Sequence, residues 1–317
     1  MNERKPPALL LMGPTGSGKS ELAVYLAERL DGEIVSVDSA LVYRGLDIGT
    51  AKPDRAARRG IAHHLIDILD PAESYSTGRF LDDARRLLAD IAARGKLPLL
   101  VGGTMLYFNA LLHGLAELPP ADPDIRRFLE EEAARLGWAA MHAELAQVDP
   151  EAARRIHPND PQRIQRALEV YHATGKPLSA LCAEQTAVPL PCRPVKIVVA
   201  PASRTELHAR IERRFQDMLV NGLIDEVKAL FERGDLHSSL PAIRAVGYRQ
   251  VWGYLNGEYD LATLKEKGVA ATRQLAKRQF TWLRREQEAR RYESGPAAEL
   301  AERILAGLGE DGTNRSG

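Results

Sequence analysis

The chain has 317 residues, 44% hydrophobic and 27% charged, a composition typical of a globular protein large enough for two lobes. No apolar run approaches the ~20 residues that cross a bilayer, and two cysteines, Cys182 and Cys192, are too few for a disulfide framework or a four-ligand zinc site. We therefore expect a cytoplasmic protein without membrane contact or structural metal. The net charge of zero hides a basic segment, residues 241–291, with eleven Lys/Arg and five Asp/Glu. Such a segment suits a polyanion or forms a solvated helix face.

The first ~115 residues alternate short apolar runs with helical patterns, which predicts a parallel sheet wrapped by helices. Predicted strands cover residues 9–12, 34–37, 64–68 and 97–101, of which 64–68 has the weakest pattern. Predicted helices cover residues 18–30 and 80–94. Ligands of such sheets bind at the carboxyl ends of the strands. Asp38 and Thr104, which follow two of these strands, are therefore expected beside the loop that follows the first one.

From residue 119 onward the pattern becomes helical and predicts an insertion over residues 119–190. Asp122 and Asp160 each precede a proline, the arrangement of an N-cap before the first helical turn. Gly137 and Gly175 are the expected C-terminal stops of the helices that these caps begin.

A strand over residues 195–200 is expected to return to the sheet, followed by helices over residues 203–220, 223–234, 248–256 and 261–285. The predicted fold class is α/β: a P-loop NTPase-like parallel sheet formed by residues 1–118 and 191–308, with a mainly helical insertion. The tail from residue 309 lacks an apolar pattern and is predicted to be disordered.

A complete phosphate-loop motif, G-x-x-x-x-G-K-[ST], lies between the first predicted strand and the first predicted helix. Its glycines let backbone N–H groups turn towards phosphate oxygens, and the helix N-terminus adds its dipole. Lys19 supplies a positive charge, and the Ser20 hydroxyl can ligate Mg²⁺. The predicted phosphate-binding residues are Gly13, Pro14, Thr15, Gly16, Ser17, Gly18, Lys19 and Ser20.

The expected partner of this loop in an ATP-using kinase is an acid at the end of another core strand. The strand over residues 97–101 ends instead in Gly-Gly-Thr, and Asp38 is the one acid at a confidently predicted strand end. Asp38 can therefore act either as metal organiser or as general base.

Six further segments carry long motifs: VSVDSALVY (35–43), DIGTAKP (47–53), VGGTMLY (101–107), HPNDPQR (157–163), RAVGYR (244–249) and TRQLAKRQ (272–279). With the phosphate loop, they resemble the tRNA dimethylallyltransferase family over residues 9–283. The absence of a cysteine–histidine extension after the basic helix makes the resemblance one to the bacterial type. The family transfers a dimethylallyl group from dimethylallyl diphosphate to N6 of adenine 37 in tRNA, beside the anticodon. No water need attack a γ-phosphate, which would explain the missing second acid.

The resemblance implies a role for each site residue. Lys19, Ser20 and Mg²⁺ would neutralise the departing diphosphate, joined by Arg214. Asp38 would be the general base for the adenine amine, and Thr104 would hold the base or the diphosphate across the channel. Outside the family, the alternative for Arg214 is a surface helix arginine, for Asp38 a helix N-cap or structural acid, and for Thr104 an ordinary helix cap. Nothing in the sequence requires more than a monomer.

An adenine within a folded anticodon loop must swing out to react, so the family needs a surface that grips RNA. Gln162 and Arg166 share one helix face, and residues 277–284 interleave cations with aromatics. The alternative for Gln162 and Arg166 is a solvated helix face, and the alternative for Phe280 and Leu283 is packing in the core. The residues predicted to bind the tRNA anticodon stem-loop are Asp38, Ser39, Ala40, Leu41, Thr104, Arg126, Gln162, Arg163, Ile164, Gln165, Arg166, Arg244, Ala245, Val246, Gly247, Tyr248, Arg249, Lys277, Arg278, Gln279, Phe280, Thr281, Trp282, Leu283 and Arg284.

Two other function classes stay open. A nucleotide or small-metabolite kinase would use the phosphate loop for ATP and would turn ATP over. A non-catalytic RNA-binding protein would use the loop to sense a nucleotide, and replacing Asp38 with alanine would leave its function intact.

Overall fold

The computed structural model describes residues 5–184 and 189–313, and the chain divides into two compact units. The first comprises Met1–Asn109 and Leu190–Gly317, and the second comprises Ala110–Pro189. The second unit thus begins at Ala110, whereas the sequence predicts an insertion from residue 119.

The first unit is built on a six-stranded parallel sheet with the strand order β3-β2-β4-β1-β5-β6. Its strands are β1 (Pro7–Met12), β2 (Gly32–Val37), β3 (His63–His64), β4 (Leu97–Gly102), β5 (Arg193–Ala200) and β6 (Arg290–Glu293). The central strands β1, β2 and β4 are almost wholly buried and largely apolar, apart from Glu33 and Ser36 of β2, as expected for a sheet with helices on both faces. The predicted α/β fold class is confirmed.

Helices fill the rest of both units. In chain order they are α1 (Lys19–Arg29), α2 (Thr77–Ala93), α3 (Met105–His113), α4 (Pro123–Leu136), α5 (Trp138–Val148), α6 (Pro150–Arg155), α7 (Pro161–Thr174), α8 (Leu178–Ala183), α9 (Arg204–Val220), α10 (Leu223–Phe231), α11 (Tyr248–Leu255), α12 (Leu261–Leu283) and α13 (Ala297–Thr313). Helices α1 and α13 pack with the sheet in one apolar cluster, which includes Leu22, Leu26 and Ile304. No helix in the described part of the chain is long and apolar enough to cross a membrane.

The three central strands end level with one another. Gly102, the last residue of β4, pairs with Met12 of β1 on one side and with Val37 of β2 on the other. A side chain at Gly102 would lie 2.0 Å from the Val37 carbonyl oxygen, so the strands approach too closely for any residue but glycine. The segments that follow the three strands therefore emerge side by side at one edge of the sheet.

The second unit has its own apolar core between α4, α5, α6 and α7, with Leu129, Leu145 and Leu168 fully buried. The predicted caps are confirmed. Asp122 accepts the Asp124 N–H at 2.9 Å and the Ile125 N–H at 3.1 Å, and Asp160 accepts the Arg163 N–H at 3.3 Å. The predicted stops are also confirmed: Gly137 ends α4, and Gly175 ends α7 in a left-handed conformation.

The structure differs from the sequence-based prediction at one strand and at the C-terminal tail. The strand predicted over residues 64–68 is limited to His63–His64, because Leu65 and Asp67 adopt left-handed φ values of 61° and 58° that stop a strand. The tail predicted to be disordered from residue 309 is helical as far as Thr313, and residues 314–317 lie outside the described part. Because helix propagation is favourable once a helix is nucleated, α13 continues past its buried residues Leu300 and Ile304.

A buried carboxylate ties α4 to α7 within the second unit. Glu169 is fully buried and accepts from Arg126 Nε at 2.9 Å, Arg166 Nη1 at 2.8 Å and the Asp122 N–H at 2.9 Å. Burial alone would raise the pKa of Glu169, but the hydrogen bonds from Arg166, Arg126 and Asp122 hold that pKa below its usual value.

We expect Glu169→Gln to lower the free energy of unfolding by about 3 kcal/mol at pH 7, because two guanidinium groups lose their charged partner. Urea denaturation measures this, and Glu131→Gln, an exposed change on α4, should stay within about 0.5 kcal/mol of wild type. The depressed pKa stabilises the native state above pH 4.5, the ordinary value, and this contribution is lost as the pH falls through the folded pKa. A variant as stable as wild type at pH 7 would contradict the assignment.

Candidate active site

The phosphate loop joins β1 to α1. Gly16 and Gly18 have left-handed φ values of 79° and 80°, and these turns bring the chain into α1 at Lys19. The Ser17 N–H donates to the Pro14 carbonyl at 3.3 Å, and the Lys19 ammonium donates to the same carbonyl at 3.2 Å. The first N–H groups of α1 lack partners within the helix, so this loop is built to receive an anion.

Two strand ends beside the loop carry the predicted acid and the predicted threonine. The Asp38 Oδ1 atom, after β2, accepts the N–H groups of Ala40 at 2.8 Å and Leu41 at 3.4 Å. The Thr104 hydroxyl, after β4, accepts the Ser39 N–H at 3.1 Å. Thr104 therefore uses its side chain to fasten the segment that carries Asp38, in addition to preceding α3.

A cavity of about 500 Å³ lies at this edge of the sheet. The predicted site residues that line it are Thr15, Lys19, Ser20, Asp38, Ser39, Ala40, Leu41, Thr104, Arg214, Arg244, Ala245, Val246, Gly247, Arg278, Gln279 and Trp282. The other phosphate-loop residues, Gly13, Pro14, Gly16, Ser17 and Gly18, shape the loop behind this lining. A single cavity thus brings together the phosphate loop, Asp38, Thr104 and Arg214, although they are far apart in the sequence.

The charges in the cavity do not balance. Burial lowers the pKa of Lys19 to about 8, the Asp38 carboxylate opposes this, and the Arg214 guanidinium adds to it. Burial also lowers the pKa of Arg214, again opposed by Asp38. Among the described residues that line the cavity, Asp38 carries the only carboxylate. Two partly desolvated cations therefore share one anion, and a bound polyanion would stabilise both.

An apolar part of the cavity wall was missed by the sequence reasoning. Ile211, Phe215 and Met218 of α9 line the cavity, together with Leu275 of α12. Ile211 and Phe215 are four residues apart, and Phe215 and Met218 are three apart. This is the spacing of one helix face, and it could have identified the three residues from the sequence. Phe215 packs on Gly268 of α12, where a side chain would lie 1.9 Å from the ring.

Gln279 links the phosphate loop to the end of β4. Its side-chain oxygen accepts the Thr15 N–H at 2.9 Å, and its amide nitrogen donates to the Gly103 carbonyl at 3.0 Å. Gln279 is 8% exposed, and a side chain at Gly103 would lie 2.3 Å from that amide nitrogen. Gln279 therefore holds two loops of the cavity in register. The sequence predicts it as an RNA contact, whereas the structure gives its side chain two protein partners.

The other RNA candidates of the first unit separate into exposed and buried residues. Tyr248 and Leu283 are buried, with 0% and 1% of their surface exposed, so their side chains pack inside the protein and their contact with RNA stays a prediction. Phe280 is half-buried against Leu207 and Ile211, the core alternative at that position. The exposed candidates are Arg244, Arg249, Lys277, Arg278, Thr281 and Arg284, and the half-buried Trp282 lies beneath the Arg285 guanidinium.

The candidates of the second unit behave similarly. Ile164 is fully buried in the helical core, so its side chain packs within the unit and its contact with RNA stays a prediction. Arg126 and Arg166 hold Glu169, so each has a structural partner that the sequence did not indicate. Gln162 and Arg163 are exposed at the start of α7, while Gln165 donates to Glu130 Oε1 at 3.0 Å.

Comparisons with known proteins agree with this geometry. A family model described as IPP transferase matches residues 41–286. The chain belongs to the IPP transferase family. A tRNA dimethylallyltransferase from Methylococcus capsulatus is 64% identical over 290 residues, which cover 92% of this chain and 93% of the relative. The family consists of transferases, so the chain is a transferase.

Solved structures of the family share the fold. The tRNA isopentenylpyrophosphate transferase of Bacillus halodurans is similar with a TM-score of 0.70 and 37% identity, over 99% of this chain and 100% of that one. A eukaryotic dimethylallyltransferase, whose structures are described as acting on tRNA, is similar with a TM-score of 0.80 and 28% identity. That comparison covers 98% of this chain and 80% of the eukaryotic one.

We expect Gln279→Leu to lower the free energy of unfolding by about 2 kcal/mol, because the Thr15 N–H and the Gly103 carbonyl lose a buried partner. Urea denaturation measures the change. Gln274→Leu, on an exposed position of the same helix, is the matched control and should be close to neutral. Equal stabilities of the two variants would show that the bridge contributes nothing.

The affinity for inorganic diphosphate should weaken as the pH rises through about 8, because Lys19 loses its proton there in the unliganded protein. The dissociation constant is expected to rise by up to about tenfold per pH unit above that value. Isothermal titration calorimetry from pH 7 to pH 9.5 measures it. Lys19→Arg keeps its charge throughout and corrects for ionisation of the diphosphate itself. Identical pH profiles for the two proteins would contradict the low pKa.

Proposed function

We propose that the chain transfers a dimethylallyl group from dimethylallyl diphosphate to N6 of adenine 37 in tRNA, giving N6-(dimethylallyl)adenosine and diphosphate. The observation that carries the proposal is the content of the cavity: a phosphate loop, the half-buried cations Lys19 and Arg214, one carboxylate and an apolar wall. The family membership of the chain supports the same reaction.

The cation side of the cavity suits a diphosphate leaving group. Lys19, Arg214 and the N–H groups at the start of α1 are donors for its oxygens. As the C1–O bond of the prenyl donor breaks, the bonding electrons leave with the diphosphate, and its charge grows where these donors lie. Stabilisation of developing charge by fixed donors is commonly the largest part of such catalysis.

The carboxylate side suits an amine that must lose a proton. The N6 lone pair forms the new bond to C1 of the prenyl group, and Asp38 takes one N6 proton. Two backbone N–H groups hold Oδ1 of Asp38, which leaves Oδ2 as the atom that we assign to the adenine amine. The apolar wall of Ile211, Phe215 and Met218 suits the dimethylallyl group and keeps water from the reacting carbon.

Mg²⁺ fits the site as a companion of the diphosphate. No group of three or more acidic, histidine or cysteine side chains among the described residues could hold a metal alone. The Ser20 hydroxyl lies in the cavity wall and is the protein ligand that we assign. Mg²⁺ commonly binds through one or two protein ligands together with substrate phosphates, and it would offset the negative charge of the leaving group.

The tRNA would be held by exposed polar and basic residues of each unit. In the first unit these are Arg244, Arg249, Lys277, Arg278 and Arg284, and in the second Gln162 and Arg163. Arginine side chains can hold phosphates or stack on splayed bases, and glutamine amides can bond to base edges. The target adenine must leave its stack to reach Asp38 inside the cavity.

The kinase alternative is weaker at this site. Phosphoryl transfer from ATP commonly needs an acid at a second strand end to organise metal and nucleophile. Here β4 is followed by Gly103 and Thr104, and the described cavity lining offers no carboxylate besides Asp38.

The test incubates the protein with unmodified tRNA, Mg²⁺ and dimethylallyl diphosphate and measures the mass of the digested nucleosides. We expect dimethylallyl-adenosine from wild type, and a rate lower by about 10²–10⁴-fold for Asp38→Ala and Asp38→Asn. Both variants should keep or improve their affinity for inorganic diphosphate, because they remove a negative charge from an anion site. Asp217→Asn, an exposed change on α9, should retain full activity. Absence of the prenylated product, together with consumption of ATP, would contradict the proposal and favour a kinase.

A further inference from the structure

Glu226 of α10 accepts three consecutive backbone N–H groups from the loop that follows β2. Its Oε2 atom lies 3.0 Å from the Asp47 nitrogen and 2.7 Å from the Ile48 nitrogen, and its Oε1 atom lies 3.1 Å from the Gly49 nitrogen. Successive N–H groups that converge on one anion form a nest, an arrangement commonly found around phosphates. In this protein the anion of the nest is a side chain that lies 177 to 179 residues later in the chain.

A fourth donor completes the coordination of this carboxylate. The Tyr248 hydroxyl donates to Oε1 of Glu226, and burial together with the charge of Glu226 raises the pKa of Tyr248. The Tyr248 ring also packs on Gly49, where a side chain would lie 2.5 Å from a ring carbon. The backbone at Gly49 is therefore held by a hydrogen bond on one side and by an aromatic ring on the other.

The same loop continues into the wall of the active-site cavity. Gly49, Thr50 and Ala51 line the cavity, whereas Glu226 lies behind them. The Thr50 carbonyl accepts Nη2 of Arg214 at 3.3 Å. A continuous set of contacts thus runs from Glu226 through the loop backbone to the guanidinium that shares the cavity with Lys19.

We propose that Glu226 is a positioning residue of the active site: it fixes residues 47–50 so that the Thr50 carbonyl aims Arg214 at the diphosphate. This inference rests on the proposed function, because it assigns the diphosphate as the ligand of Arg214. Glu226 touches no substrate. A loop without the carboxylate has three N–H groups without their acceptor, and the Thr50 carbonyl loses its fixed position.

Isosteric Glu226→Gln tests this role, because its amide keeps the size but offers one acceptor oxygen and presents N–H groups to the nest. We expect the dissociation constant of inorganic diphosphate with Mg²⁺ to rise by about tenfold, the effect of losing a charged hydrogen-bond acceptor. The KM for dimethylallyl diphosphate should rise similarly, while the KM for tRNA stays within about twofold of wild type. Asp225→Asn, an exposed neighbour on α10, is the matched control and should bind diphosphate as wild type does.

A double-mutant cycle with Arg214→Ala separates positioning from general loosening of the fold. If Glu226 acts through Arg214, adding Glu226→Gln to Arg214→Ala should weaken diphosphate binding by less than about twofold further. Additive losses, or equal rises in both KM values, would overturn the proposal. Glu226→Asp, which keeps the charge on a shorter side chain, serves the same cycle if the glutamine variant is not folded in urea denaturation.

Different results would overturn the proposed function and the proposed role of Glu226. Wild-type protein that neither binds diphosphate nor prenylates tRNA would remove the proposed function itself. Wild-type protein that does both, beside a Glu226→Gln variant with unchanged diphosphate affinity, would overturn the role of Glu226 alone.

Discussion

The sharing of the Asp38 carboxylate by two half-buried cations, Lys19 and Arg214, is the interaction on which the rest of the site depends. Partial burial lowers the pKa of both Lys19 and Arg214, and the Asp38 carboxylate opposes this for each. The cavity therefore carries an excess of positive charge in a partly desolvated environment, where an unpaired charge is destabilising. In the proposed reaction, a bound diphosphate would offset that excess charge, and Asp38 would then face an uncharged nucleophile. In the proposed reaction, affinity for the leaving group and a base for the amine would thus come from the same three side chains.

Side chains from the C-terminal half of the chain hold the loops of the N-terminal half in this arrangement. The level ends of β1, β2 and β4 bring the phosphate loop, Asp38 and Thr104 to one edge of the sheet. Their backbones are then held from the C-terminal half of the chain: Gln279 joins the phosphate loop to the end of β4, and Glu226 holds the loop before Thr50. Both act on backbone groups, which explains how flexible loops reach a preorganised geometry.

The sequence was most informative where the physics is local. Short apolar runs, Asp-Pro caps and the phosphate-loop spacing predicted the central strands, the helix ends and the cavity edge. It was least informative where packing decides. The strand β6 is Arg-Arg-Tyr-Glu, with no apolar run, and forms because β5 offers a free edge. Tyr248, Ile164 and Leu283 belong to motifs that resemble RNA contacts, yet tertiary structure buries them. The sequence around Glu226 does not indicate that this residue lies beside residues 47–49, because the helical pattern of a segment does not specify which distant backbone groups a carboxylate will contact.

The central claim is that this phosphate loop supports cleavage of a carbon–oxygen bond instead of a phosphorus–oxygen bond. Dimethylallyl diphosphate labelled with ¹⁸O at the oxygen that bridges C1 and phosphorus tests this directly, with tRNA as acceptor and mass spectrometry of the products. Our account predicts that all of the label leaves in the inorganic diphosphate while the tRNA gains the unlabelled prenyl group. Label retained on dimethylallyl alcohol beside unlabelled diphosphate, or on dimethylallyl monophosphate beside orthophosphate, would contradict it and would assign phosphoryl chemistry to the cavity.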